Sequence, residues 1–68
     1  MSTDTCWVDV EILRESPTGL AWLVRSSVDD SEQWIPKRAI ADSEDDLEPG
    51  VHTKIELPTV LAEEKGLV

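Results

Sequence analysis

Gln33-Trp34-Ile35-Pro36-Lys37-Arg38-Ala39-Ile40 sets a large aromatic, a proline and two adjacent cations between apolar residues. Trp34 and Ile35 favour strand, and Pro36 cannot donate to a sheet ladder, so pairing is expected to stop there or to continue only at an edge. Lys37 to Ile40 has the length of one tight helical turn, which would carry Ile40 back under a sheet while both cations stay in water. The octet therefore reads as a β corner with Trp34 in the core. A sharper reading makes Trp34 and Arg38 a binding platform.

Toward the N-terminus, Met1 to Thr5 is short and polar and is expected to be flexible. From Cys6 to Glu15 the chain alternates, with Cys6, Val8, Val10 and Ile12 pointing one way and Asp9, Glu11 and Glu15 the other, the pattern of a half-buried strand. Trp7 and Leu13 fall on the acidic side, as exposed anchors or under a partial cover. Ser16-Pro17-Thr18-Gly19 carries proline and glycine at turn positions and predicts a hairpin. Leu20 to Ser26 then returns with both faces apolar, which marks it as the expected central strand. Val28-Asp29-Asp30-Ser31 is a second turn, and Glu32 to Pro36 completes a three-stranded meander.

Toward the C-terminus, residues 41–50 hold Asp42, Glu44, Asp45, Asp46 and Glu48 with no cation and a Pro-Gly exit, and read as an acidic loop. Val51, Thr53, Ile55 and Leu57 alternate with His52, Lys54 and Glu56, giving a strand with one apolar and one charged face. Pro58 suits the first helical position and Gly66 a left-handed C-cap, so residues 58–66 predict a helix of about two turns. The expected fold is a single domain over residues 1–68. It is mainly β, a curled antiparallel sheet or barrel of SH3-like or OB-like kind with four to five strands and a short C-terminal helix. Its expected core is Val8, Val10, Ile12, Leu20, Trp22, Val24, Trp34, Ile55, Leu57 and Leu61.

Fifteen acidic residues against six basic ones give a formal charge of -9. Phosphate neutralisation needs clustered cations, so nucleic acid and anionic membranes are not expected as direct ligands, and partners should be basic or mixed. A domain of this size has a marginal core, which leaves room for a homodimer or a partner to complete it. One cysteine and one histidine cannot build a zinc site of four Cys/His ligands, and no run is long enough to span a bilayer. A cytoplasmic protein without cofactors is the expectation.

Catalytic signatures are sparse. His52 is the sole imidazole and Cys6 the sole thiol, with no cation near Cys6 to lower its pKa, so both read as structural and no catalytic residue is assigned. Counting an EF-hand from Asp42 puts Leu47 where glycine is needed and Thr53 where glutamate is needed, so no metal site is assigned. The acid itself is the stronger candidate. Asp9 and Glu11 stand two strand residues apart, about 6.7 Å, and Asp29, Asp30, Glu32, Asp42, Glu44, Asp45, Asp46 and Glu48 extend the array. Fixed carboxylates of this kind can imitate a phosphate backbone toward a protein built to hold nucleic acid.

The octet resembles the W-(I/F)-P-(S/K)-x-x-(V/I) segment of SH3 domains, although here nearly thirty residues follow it. Over a longer span, Trp34-Ile35-Pro36-Lys37 and Leu57-Pro58-Thr59-Val60-Leu61-Ala62-Glu63-Glu64-Lys65-Gly66-Leu67 resemble a loose group of small bacterial and phage-type proteins. That group shares a W-(I/L)-P-K strand end and a closing L-P-x-W-L-A-x-x-K-G-L, from which Val60 departs by replacing the tryptophan. The resemblance implies fold and provenance, and the group has no function to transfer. Small acidic inhibitors of host defence nucleases are of this phage-type kind. The leading expectation is thus a non-enzymatic decoy of anti-CRISPR or anti-restriction type, binding a basic nucleic-acid groove of a host protein. The alternative is an adaptor that binds a protein or peptide through Trp7, Trp34 and Arg38, with the acid serving solubility.

Overall fold

The computed structural model describes residues 4–67, in the order β1 (Thr5–Glu15), β2 (Ala21–Ser26), β3 (Glu32–Pro36), a 3-10 turn (Lys37–Ala39), β4 (Asp42–Ser43), β5 (His52–Pro58) and α1 (Thr59–Glu64). The organising element is β1, whose eleven residues serve two partners with different halves. Thr5 to Glu11 pairs antiparallel with β5, and Val10 to Glu15 with β2. With β3 beside β2 and β4 beside β5, the sheet runs β3-β2-β1-β5-β4. It curls without closing, so of the two expected forms, curled sheet or barrel, it takes the first, and β3 and β4 remain as edges. The middle place belongs to β1 and not to β2: β2 and β5 each carry two neighbours as well, but the eleven residues of β1 reach past either of them and join the two halves of the sheet.

Alternation decides the core. Val8, Val10 and Ile12 of β1 stand in register with Ile55, Thr53 and Val24, and Trp22 with Ile35, so all of these share the inner face. Most are fully buried. Ala62 of α1 and Leu67 are buried against the same cluster, while Ile40, Leu47, Leu61 and Cys6 pack around it. Each buried aliphatic side chain contributes about 1.5–3 kcal/mol relative to exposure, so this face carries the stability. Hydrogen bonds from the Gly66 amide to the Glu63 carbonyl (3.1 Å) and from the Leu67 amide to the Ala62 carbonyl (2.9 Å) close the helix, with Gly66 at φ 70°. That left-handed residue turns Leu67 back onto the core. Leu61, expected as the helix anchor, is only partly buried.

Two expected core residues lie elsewhere. Leu20 is 71% exposed in the first turn, and Trp34 is 39% exposed. Since neighbours on a strand face opposite ways, only one of Trp34 and Ile35 can point inward. Ile35 takes that place across from Trp22, which sends Trp34 to the outer face. A bulge corrects a third assignment. Between Ile12 and Arg14 the β1–β2 register slips, leaving Leu13 as the extra residue, so that Arg14 stands across from Leu23 and Glu15 across from Trp22. Glu15 thereby leaves the face of Asp9 and Glu11 and forms an ion pair with Lys37. The Lys37 ammonium lies 4.8 Å from the Trp22 ring centroid, so it covers the core edge and does not extend freely into water.

The termini and the acidic loop also differ in detail from expectation. Residues 1–3 lie outside the described residues, but Asp4 and Thr5 are held: Thr5 begins β1, and the Asp4 carbonyl accepts from the Thr59 amide at 2.9 Å. Pro58 ends β5 and caps α1, which starts at Thr59. Within the loop, Asp42 and Ser43 pair with Glu56 and Ile55. Amides of Ala41 and Glu44 donate to Glu56 and Lys54 carbonyls at 2.8 and 3.0 Å, a backbone pairing that five carboxylates gave no hint of. Among the described residues no helix is long and apolar enough to cross a membrane.

Candidate functional site

The inner face is covered by α1 and the loop, which leaves the outer face of the sheet, carrying most of the sequence-derived candidates, toward solvent. Its side chains fall in transverse rows fixed by the register. Trp7, Glu56 and Asp42 form one row across β1, β5 and β4. Asp9 and Lys54 form the next, then Glu11, Arg25 and Glu32, and last Arg14, Leu23 and Trp34. Trp7 and Trp34 are thus separated by two charged rows, about 20 Å along the strands at roughly 3.3 Å per residue. They do not share one aromatic platform. The cation over Trp34 is Arg14, 5.7 Å from the ring centroid, whereas Arg38 lines a separate cleft with Leu20, Ala21 and Pro36.

The charged rows converge on His52. Its Nε2 lies 2.8 Å from Asp9 Oδ1 and 3.4 Å from Ser27 Oγ. On one side a cleft of about 290 Å³ brings together Asp9, Glu44, Asp45, His52 and Lys54. On the other, a cleft of about 260 Å³ brings together Glu11, Arg25, Ser27, Asp30 and His52. Sharing His52, the two clefts make a belt across the sheet, from the acidic loop over β5 and β1 to the β2–β3 turn. Strands lie about 4.8 Å apart, so the belt spans a few such steps.

Within this belt the acid is partly matched. The Arg25 guanidinium lies 3.2 Å from Glu11 and 3.8 Å from Glu32, and all three side chains are 41–52% exposed. Exposed pairs of this kind contribute little to stability, typically about 0–1 kcal/mol. Their effect is to neutralise: Glu11 and Glu32 are answered by Arg25, and Asp9 is answered by His52 whenever the imidazole is protonated. By contrast Asp42, Glu44, Asp45, Asp46 and Glu48 make no ion pair among the described residues. Partial burial of Leu47 against the core and the hydrogen bond from Ser43 Oγ to the Asp45 carbonyl (2.8 Å) tether that loop.

Asp29 and Asp30 project from the β2–β3 turn. The Ser31 hydroxyl (2.7 Å) and amide (3.1 Å) both donate to Asp29 Oδ1, and these bonds hold its carboxyl below the usual carboxylate range. Asp30 sits at φ 60°, a left-handed conformation that aspartate tolerates better than most residues. The structure therefore brings Asp9, Glu11, Asp30, Glu44 and Asp45 together. Asp29 and Glu32 flank them at the turn, and Asp42, Asp46 and Glu48 remain at the β4 edge and loop.

His52, Ser27 and Asp9 form a constellation that sequence spacing did not reveal. Both contacts of the ring fall on Nε2, so the imidazole cannot take a proton from the serine while the carboxylate orients its other nitrogen. The Ser27 hydroxyl instead donates to the Asp9 carbonyl at 2.8 Å. His52 acts here as the cationic or donor bridge of the belt. The alternation of His52 with Thr53 could have placed it on the outer face, but not beside Ser27, which comes from a distant turn. Among the described residues no group of three or more His, Cys, Asp or Glu side chains is arranged to hold a metal ion.

These features define a small open antiparallel sheet with one helix-covered face and one charged face. The chain matches no protein-family model, no curated protein and no solved structure.

Proposed function

We propose that the protein is a non-enzymatic decoy that presents its acidic surface to the basic nucleic-acid groove of another protein. The observation that carries this reading is the tethered acidic loop, whose five carboxylates stand without ion pairs among the described residues beside a belt holding Asp9, Glu11 and Asp30. A phosphate mimic needs carboxylates fixed in space and not already neutralised. The loop carries un-neutralised carboxylates on a tethered backbone, whereas the carboxylates of the Arg25 row are held but already answered by a cation. The resemblance of the strand end and tail to phage-type proteins supports a host nuclease, of the kind that anti-CRISPR and anti-restriction proteins block, as the target. Acid that served only solubility, with Trp7 at 46% exposure as the anchor of an adaptor, is the competing reading.

Salt and amide replacement separate the two. Binding through the acid weakens steeply as salt rises and is displaced by duplex DNA, while anchoring by Trp7 is nearly indifferent to both. Replacing Asp42, Glu44, Asp45 and Asp46 by their amides should weaken capture of the partner more than replacing Asp29, Asp30 and Glu32. The melting temperature should stay level or rise, because Asp42 stands directly across from the like-charged Glu56. Wild-type capture by both sets at low salt would sink the decoy reading.

A further inference from the structure

β3 is an open edge whose backbone polarity can be read from its neighbours. The Lys37 amide donates to the Leu20 carbonyl (2.9 Å) and the Ser26 amide to the Ser31 carbonyl (2.8 Å). In an antiparallel ladder the bonded residues alternate, so Ser31, Gln33, Ile35 and Lys37 turn their backbone toward β2. Glu32, Trp34 and Pro36 turn theirs outward. Among the described residues no strand pairs with that side. The devices that usually blunt an edge are weak here: the β2–β3 register has no bulge, the strand has no lysine, and its proline stands at the last position. At the other edge, β4 is only two residues long.

Charge along this edge is polar. Asp29, Asp30 and Glu32 stand at its start, and Lys37 and Arg38 just past its end. Exposed apolar residues stand at both ends: Val28, in the turn before the strand, is 72% exposed, and Leu20, beside its end, is 71% exposed. Leu20 lines a cleft of about 610 Å³ with Gly19, Ala21, Pro36, Lys37 and Arg38. Such an edge is complementary to itself when reversed.

We infer that β3 is a homodimer interface, pairing antiparallel with β3 of a second copy to make one continuous sheet. In the register centred on Trp34, each Trp34 amide donates to the other copy's Trp34 carbonyl and each Glu32 amide to the other's Pro36 carbonyl. All outward amides of both strands are then bonded. The missing donor of Pro36 leaves only the Glu32 carbonyl to water. The two-fold axis sets the half-exposed Trp34 against its mate and brings Arg38, just past one end of the strand, toward Asp30, just before the start of the second copy's strand. An unrelated strand could bond the same amides, but a second copy brings matching acidic and basic ends in one step.

Sedimentation of the purified chain over a range of micromolar concentrations tests this, with amide exchange of Glu32 and Trp34 as the local readout. Dimer is expected at physiological ionic strength, with both amides becoming protected as it forms. Because each copy carries a charge of -9, association should tighten as salt rises, opposite to the salt response of the decoy interaction. Arg38→Glu and Asp30→Lys, each checked for folding by circular dichroism, should each weaken self-association by about tenfold, since the two-fold repeats every change. An equimolar mixture of the two variants should recover the dimer, because both cross-pairs are then opposite in charge. A chain that remains monomeric overturns the inference and leaves the edge to a strand from another protein. A dimer indifferent to both variants also overturns it, by placing the interface elsewhere.

Discussion

Ile35 and Trp34 are neighbours on β3, yet Ile35 is sealed from solvent and Trp34 is 39% exposed. The same split runs along β1, where Val8, Val10 and Ile12 are buried while Trp7 and Asp9 face water. The two faces teach different physics. On the inner face stability comes from removing aliphatic surface from water and from close packing, so every atom counts. Apart from Leu23, buried in the row of Arg14 and Trp34, the outer face is held by exposed ion pairs and half-covered aromatics, whose contributions are small, which leaves the rest of its composition free for recognition.

The contrast is broken most sharply on β3 itself. Ile35→Ala leaves a cavity in a closed core and should cost about 2–5 kcal/mol. Trp34→Ala should cost less, about 1–2 kcal/mol, because water fills the vacated space and only Leu23 and Arg14 lose cover. Denaturant melts of the two variants check this. An equal or larger loss at Trp34 would mean that the outer face is a second core.

A smaller effect is expected within the outer face. Arg25→Met removes the bridge between Glu11 and Glu32 and should cost about 0.5–1 kcal/mol at low salt, fading as salt is added. Melting in two ionic strengths reads it. A loss that salt does not reduce would show that the Arg25 stem packs on its neighbours and that the row is not held by charge.

The smallest effect belongs to the turn. Because the Ser31 bonds lower the Asp29 pKa in the folded chain, Asp29 contributes stability above its unfolded pKa, lost as pH falls through the lower folded value. An NMR titration should find its carboxyl ionising below the ordinary aspartate range. Ser31→Ala should bring it back up. An unmoved titration in that variant would remove the Ser31 hydroxyl as the cause.

How much of this was legible in the sequence varies by element. The alternation of Val8, Val10 and Ile12 and of Thr53, Ile55 and Leu57 revealed both strands and their buried faces, because a period of two is imposed by the backbone alone. Gly19 and Gly66 marked the first turn and the helix end for a similarly local reason, since both adopt positive φ. Of the candidate surface, the sequence showed Asp9 and Glu11 on one face and the acid of residues 41–50. It did not show that Arg25 answers Glu11 and Glu32, or that His52 stands beside Ser27, since those contacts join strands and turns distant in the chain.

By itself, then, the sequence determined the types of the long elements, the turns, the acidic sign of the surface and the inward residues of the two cleanly alternating strands, but not the short β4. Each follows from local propensity, period or composition. Tertiary structure alone decided that β1 and not β2 lies in the middle, that Ile35 displaces Trp34 from the core, and that Glu15 crosses to the face of Lys37. The reason is register. Trp34 and Ile35 are both good strand residues, and only pairing with β2 selects the one that points inward. The bulge at Leu13 reverses Glu15 through a one-residue slip for which the alternating pattern held no signal.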